Sequence, residues 1–83
     1  MLLHVGDDLM LRSSDIVLML DLTRTDQPDT RAFMDAAQAA GIVRRISQDP
    51  PKTAVLTQNQ RGQLLYLSPI SSATLLKRVG VSE

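Results

Sequence analysis

The order of apolar and polar residues divides this chain into short segments whose ends are marked by turn residues. Two brief apolar runs, residues 2–5 and 9–11, flank the turn signal GDD at residues 6–8, which predicts an N-terminal β-hairpin. The longest apolar run, DIVLMLDL at residues 15–22, predicts a central strand buried on both faces. A helix over the same run is the alternative, but its short length and its β-branched residues favour a strand.

A first helix is predicted after the polar connection at residues 23–28. It is capped by Asp29 or Thr30 and runs to Ala40, and Gly41 supplies the left-handed residue after its end. Its apolar positions have the i, i+1, i+4, i+5, i+8 spacing of a helix that faces a core: Ala32, Phe33, Ala36, Ala37 and Ala40. The four alanines indicate close approach to a sheet or to a neighbouring helix.

The second half of the chain predicts another hairpin. Residues 42–46 form a short strand or an extended return, and residues 47–51 form a loop because Pro50 and Pro51 interrupt regular structure. Residues 53–57 and 64–67 are strand segments, and the turn at residues 58–62 joins them.

The C-terminal stretch, residues 64–78 (LLYLSPISSATLLKR), predicts a strand, a sharp stop and a capped helix. Pro69 ends the strand because it lacks the N–H group that a sheet requires. Ser71 caps a helix over residues 72–79, which Gly80 terminates. The predicted apolar face of this helix is spaced i, i+3, i+6: Ala73, Leu76 and Val79.

Together these segments predict one α+β domain over residues 1–83, with a small, mostly antiparallel sheet of about five strands and two helices. The core must be aliphatic, because the chain has one Phe, one Tyr and no Trp. The absence of Cys excludes disulfides and thiolate sites. We expect no signal peptide, since polar residues follow Met1-Leu2-Leu3 at once, and we expect a soluble cytoplasmic protein.

The zero net charge conceals a division between the two parts of the chain. Residues 1–29 hold six acidic and two basic side chains, and residues 30–83 hold seven basic and three acidic ones. This −4 and +4 division predicts either a basic face for nucleic acid or head-to-tail docking between subunits. A solvated surface on which the charges mix is the simpler alternative.

Candidates for catalysis or metal binding are few. His4, Asp7 and Asp8 are the one cluster of metal-ligand type, although acidic residues beside glycine more often form a solvated turn. Three serines near the C-terminus would need His4 as their base, and helix capping explains them more simply: Ser68, Ser71 and Ser72. We therefore expect no metal, no cofactor and no enzymatic activity.

Basic residues in loops and turns are the remaining candidates for function. Arg44, Arg45 and Lys52 flank the proline loop, and Arg61 lies in the second hairpin turn. Such positions are suited to phosphate contacts, and we predict these four residues as the nucleic-acid-binding set. The chain has no aromatic platform for stacking bases, so one subunit would bind weakly and an oligomer would gain affinity through avidity.

Three segments resemble the bacterial extracellular-matrix regulator family RemA/RemB, and the RemB branch most of all. They are LHVGDDLMLRSSDIVLMLDL at the start, PKTAVLT in the second half and LLYLSPISSATLLKR at the end. The resemblance covers almost the whole chain. It implies a small α/β subunit, a ring-shaped homo-oligomer and DNA-binding activation of biofilm-matrix genes.

The resemblance also implies where DNA would be contacted. In RemA-like sequences, an arginine at the start of the long strand and an adjacent arginine pair in the loop after the helix are implicated in DNA contact. Counted without gaps from Gly41, the pair falls on Pro50 and Pro51, and the strand-start position is Asp15. The leading hypothesis is a ring-forming regulator that contacts double-stranded DNA through repeated basic sites. The alternative is a ring-forming scaffold or protein-interaction module that does not bind DNA.

Overall fold

Six strands and two α-helices make up most of the part of the chain that the structure, a computed structural model, describes: residues 2–24 and 27–80. Residues 25 and 26 of the predicted polar connection lie outside the described residues. In chain order the elements are β1 (Leu2–Gly6), β2 (Leu9–Arg12), a 3₁₀ turn (Ser13–Asp15), β3 (Ile16–Asp21), α1 (Pro28–Ala40), β4 (Val43–Arg45), β5 (Thr53–Asn59), β6 (Gly62–Ser68) and α2 (Ser72–Gly80).

The strands form two separate sheets. β1 and β2 pair only with each other, and the larger sheet has the order β3-β5-β6-β4, in which only the β4–β6 pair is parallel. The predicted α+β class, with two helices and mostly antiparallel pairing, is confirmed. The prediction of one sheet of about five strands is wrong, because the N-terminal hairpin lies against the larger sheet instead of extending it.

Apolar side chains on both faces of the larger sheet create two cores. On one face, Ala54 and Leu65 pack with Ala37 of α1. On the other face, Val55 packs with Leu3 of the hairpin and with residues of α2. The sheet is therefore the middle of three layers, with α1 on one side and the hairpin and α2 on the other.

The interior strands of the larger sheet are β5 and β6, and the prediction that residues 15–22 form a central strand is wrong. β5 is buried throughout Thr53–Thr57 because it pairs with a strand on each side. β3 is an edge strand, and its register with β5 shifts between Ile16 and Leu18, which leaves Val17 exposed. Its apolar run resembles that of a buried strand, since one of its faces contacts α1 and the other contacts the hairpin side.

The first helix ends as predicted but begins and packs differently. Gly41 has the left-handed φ of 72° expected after a helix, and its N–H donates to the carbonyls of Ala37 and Gln38. The helix begins at Pro28, whose missing N–H is harmless at that position, and not with a cap at Asp29 or Thr30. Its contact face is narrower than predicted, since Ala32, Ala36 and Ala40 are exposed, whereas Phe33, Met34 and Ala37 pack on the sheet.

The second helix buries Leu75 and not the predicted face. It contacts both β1 and β3, so Leu75 points between them into the core, with Val79 packed against the same cluster. Ala73 and Leu76 are exposed. Within the described residues, neither helix is both long and apolar enough to cross a membrane.

A substitution at Gly6 tests the close packing of the N-terminal hairpin against Pro69. The φ of Gly6 is 136°, and a Cβ atom added there would lie 3.0 Å from Cδ of Pro69. We expect Gly6→Ala to lower the free energy of unfolding by about 2 kcal/mol or more, since backbone strain and overlap both contribute. Urea unfolding followed by circular dichroism measures the change.

Gly41→Ala is the matched control. Gly41 also has a positive φ, but an added Cβ would meet no atom within 4 Å, so only the conformational cost of about 1 kcal/mol applies. Equal losses in the two variants would contradict the close contact between Gly6 and Pro69.

Candidate nucleic-acid interface

Arg44 and Arg45 lie on the short edge strand β4, and both guanidinium groups are fixed by main-chain carbonyls. Nη1 of Arg44 donates to the carbonyls of Gly41 and Val43, each at 3.0 Å. Nε of Arg45 donates to the carbonyl of Ser47 at 3.0 Å, and its Nη2 lies 3.5 Å from the carbonyl of Gln48. An arginine carries five N–H donors, so these bonds orient the groups without using all of their donors.

Acidic residues lie beside this arginine pair. Asp7 and Asp8, in the turn of the N-terminal hairpin, line the same shallow groove as Arg44, Arg45 and Tyr66. Carboxylates at this position reduce the local positive potential that an anionic partner would experience. The pair is thus exposed and oriented, but it does not form a purely basic surface.

Lys52 is held at the start of β5 by its main chain. Its N–H donates to the carbonyl of Ser68 at 2.8 Å, and its carbonyl accepts from the N–H of Leu22 at 2.9 Å. These bonds place Lys52 at the end of the sheet where β3 and β6 finish and β5 begins. Its side chain is exposed. Lys52 and Arg45 are therefore at the same end of the larger sheet.

Arg61 lies in the turn between β5 and β6, at the opposite end. Oδ1 of Asn59 accepts from the N–H of Arg61 at 2.8 Å and so fixes the turn. Arg61 lines a polar groove with Arg12, Asp15 and Asn59, and the Asn59 amide lies 3.4 Å from the Asp15 carboxylate. Arg12 and Arg61 thus line the same groove as Asp15, the acidic residue at the strand-start position.

The structure divides the four predicted basic residues between two ends of the sheet. Arg44, Arg45 and Lys52 are near one end, and Arg61 is at the other, about 20 Å away along β5 at the usual rise per strand residue. Arg12, which the sequence does not place in the predicted set, lies beside the Arg61 turn because Ile16 pairs with Thr57. No local motif links residues 12 and 61, so only the strand register could have identified this pair.

The histidine and the serines serve the fold. The Nε2–H of His4 donates to the main-chain carbonyl of Asp7, and among the described residues no group of three or more side chains has a metal-binding arrangement. Ser71 caps α2 as predicted, because its Oγ accepts from the N–H of Thr74 at 3.3 Å. Ser68 is not a cap: its buried hydroxyl donates to the carbonyl of Val5 and accepts from the N–H of Ile70.

The fold and these side chains define a small α+β protein whose candidate site is a set of exposed basic residues. No family model matches the chain. The chain is 33% identical over 78 residues to extracellular matrix regulatory protein B of Bacillus subtilis (strain 168), covering 94% of this chain and 89% of that protein. The chain therefore belongs to the RemA/RemB family of extracellular matrix regulatory proteins.

Ser68 allows a test of the structural role assigned to these serines. Ser68→Ala leaves the buried carbonyl of Val5 and the N–H of Ile70 without their shared partner, so we expect a loss of about 1–3 kcal/mol in the free energy of unfolding. Ser71→Ala, which removes an exposed cap, should cost about 1 kcal/mol. Chemical denaturation measures both, and a larger loss for Ser71→Ala would contradict the assignment.

Proposed function

We propose that the protein is a cytoplasmic regulator of extracellular-matrix production, which forms a ring-shaped homo-oligomer and binds double-stranded DNA through basic side chains repeated around the ring. The observation that supports this most directly is the 33% identity, along 94% of the chain, to a protein named as an extracellular matrix regulator. The proposed contact residues are Arg44, Arg45, Lys52 and Arg61.

Exposed basic side chains at both ends of the larger sheet support the proposal. A B-DNA strand presents a phosphate about every 3.4 Å, so the separation of about 20 Å between the two ends matches roughly six phosphates along a duplex. Each subunit supplies only a few contacts and would bind weakly alone. Repetition in an oligomer raises the effective concentration of each further site, and avidity then gives useful affinity.

A ring-forming scaffold that does not bind DNA is the second candidate. Two features favour it: Asp7 and Asp8 line the groove of the arginine pair, and Asp15 lines the groove of Arg12 and Arg61. Carboxylates beside the cations repel phosphate and weaken any DNA contact. The two candidates differ in one measurable property, which is salt-dependent retention of duplex DNA.

We expect the wild-type oligomer to bind duplex DNA at low salt and to lose affinity steeply as salt rises. In fluorescence anisotropy, the logarithm of the binding constant should fall linearly with the logarithm of the salt concentration. Lys52→Ala and Arg61→Ala, made separately, should each reduce that slope by about one for every subunit that contacts the duplex. A variant that leaves the slope unchanged would exclude its end of the sheet from the DNA contact.

Lys77→Ala is the charge-matched control, because Lys77 is exposed on α2 and lines neither of the grooves that contain the proposed arginines. It should leave the salt slope unchanged. Absence of binding at protein concentrations where the oligomer is assembled would exclude the DNA-binding proposal and favour the scaffold. If Lys52→Ala or Arg61→Ala dissolves the oligomer, that residue belongs to a subunit contact and not to the DNA-binding set.

Asp15→Asn tests the opposing charge directly. The substitution keeps a group that can interact with Asn59 but removes the negative charge beside Arg12 and Arg61. If DNA contacts this end of the sheet, affinity should rise about twofold to fivefold, as expected for one exposed charge. The same anisotropy titration measures it, and unchanged affinity would place the DNA contact elsewhere.

A further inference from the structure

Four large apolar side chains are exposed in the described part of the chain, and they fall into two pairs. Val17 and Leu76, 54% and 59% exposed, flank a groove between β3 and α2. Leu2 and Met10, 57% and 46% exposed, lie on the N-terminal hairpin. Exposed apolar groups on a small protein that are concentrated in this way indicate interaction surfaces.

The first surface, called here the β3–α2 groove, has a volume of about 470 Å³ and a mostly apolar lining. It follows β3, an edge strand of the larger sheet, so unpaired main-chain groups adjoin the apolar side chains. Its lining includes Val17 and Asp21 of β3 and Leu76 and Val79 of α2.

The β3–α2 groove contains one acidic side chain, that of Asp21. Hydrogen bonds from the hydroxyl and N–H groups of Thr23 lower the pKa of the Asp21 carboxyl, with a smaller contribution from the positive charge of Arg24. This carboxyl is therefore ionised at neutral pH. Asp15 stands just before the other end of the strand.

The opposite edge of the same sheet is protected. On β4, the guanidinium group of Arg44 donates to the main-chain carbonyls of Gly41 and Val43, which covers carbonyl groups at that edge. Self-protection of this kind is a common means of preventing edge pairing. The two edges of the sheet therefore differ, since among the described residues β3 is the edge strand that lies beside an apolar groove.

The second surface, called here the hairpin face, is the outward side of β1 and β2. Leu2 pairs with Arg12 and His4 pairs with Met10, and paired residues of antiparallel strands project from the same face. The intervening Leu3 and Leu11 are buried. The hairpin face is therefore apolar at Leu2 and Met10 and basic at Arg12.

Charge determines which surface fits the β3–α2 groove. If β3 paired antiparallel with β3 of a second copy about a two-fold axis, Asp15 of each copy would approach Asp21 of the other. Like charges placed opposite each other destabilise such pairing. The hairpin face avoids this repulsion, because it offers Arg12 to Asp21 and two apolar side chains to Val17 and Leu76.

We propose that the hairpin face of one subunit docks in the β3–α2 groove of the next copy of this chain. The contact is heterologous, so every subunit offers one unused groove and one unused hairpin face until a closed ring satisfies both. This inference gives the ring in the proposed function its subunit contact and rests on that part of the proposal. It does not depend on DNA binding.

Two glutamate substitutions test the contact from its two sides. Leu76→Glu places a charge in the groove, and Met10→Glu places one on the hairpin face, and both positions are exposed within the subunit. Each variant should weaken self-association at least about tenfold, since an unpaired charge would be buried in the contact. Native mass spectrometry at micromolar concentration should therefore show monomers of each variant and a closed oligomer of the wild type.

Mixing the two variants gives the decisive result. Leu76→Glu retains a normal hairpin face and Met10→Glu retains a normal groove, so an equimolar mixture should form a heterodimer that cannot grow. If the contact were between identical surfaces, mixing would restore no association. Failure of the heterodimer to form, or a wild-type oligomer that survives in either variant, would overturn the proposal.

Ala39→Glu, at an exposed position on α1, is the control for a charge added elsewhere. It should keep the wild-type oligomer, and its dissociation would assign the contact to α1 instead. Far-ultraviolet circular dichroism of every variant verifies that the subunit remains folded. A wild-type oligomer that does not retain DNA would contradict only the DNA-binding function. An intact oligomer in both glutamate variants would contradict only this subunit contact.

Discussion

The pairing of β5 with strands on both sides is the interaction on which the rest of the structure depends. Its residues Thr53–Thr57 are all buried, and alternate side chains point to opposite faces of the sheet. Ala54 and Leu56 belong to the core beneath α1, whereas Val55 belongs to the core shared by the hairpin and α2. One strand thus connects two cores in a chain that is short for a three-layer arrangement.

Buried polar groups attach the outer layer to this strand. The hydroxyl of Thr53 donates to the carbonyl of Ile70 at 2.8 Å, and Ser68 connects the main chain of Val5 to that of Ile70. These bonds place the start of α2 and the end of β1 at the same end of the larger sheet. They also show that Ser68, a candidate nucleophile in the sequence, instead makes buried hydrogen bonds that connect parts of the fold.

Local features of the fold could be predicted from the sequence, and the order of the strands could not. Both hairpins, the end of α1 at Gly41 and the cap at Ser71 depend on neighbouring residues, and their turn and capping preferences identify them. The positions of β3 at the edge and β5 in the interior of the sheet depend on pairing between residues more than thirty positions apart in the sequence. The apolar pattern of residues 15–22 indicates contact with two layers, which an edge strand between α1 and α2 satisfies as well as a central strand does.

The same limit applies to the candidate site. Exposure of Arg44, Lys52 and Arg61 follows from their positions in loops, turns and a short edge strand, but their separation follows from strand lengths. Arg12 joins Arg61 only because β3 pairs with β5, and Asp7 reaches the arginine pair only because the hairpin stacks on the sheet. The arginine pair and Arg61 consequently each share a groove with an acidic residue from the first part of the chain, so acidic and basic charges mix at these two grooves.

The unequal edges of the larger sheet connect the fold to assembly. A sheet with two open edges could add strands without limit, and a sheet with two protected edges would offer no such contact. Here the short strand β4 is covered by its own arginine, whereas β3 remains open beside an apolar groove. The energetic cost of leaving Val17 and Leu76 in water is repaid only when another surface covers them. A single open edge could pair with the same edge of a second copy, but the charges of Asp15 and Asp21 disfavour that arrangement. A contact between unlike surfaces avoids the repulsion, and a closed ring of more than two identical subunits requires such a contact.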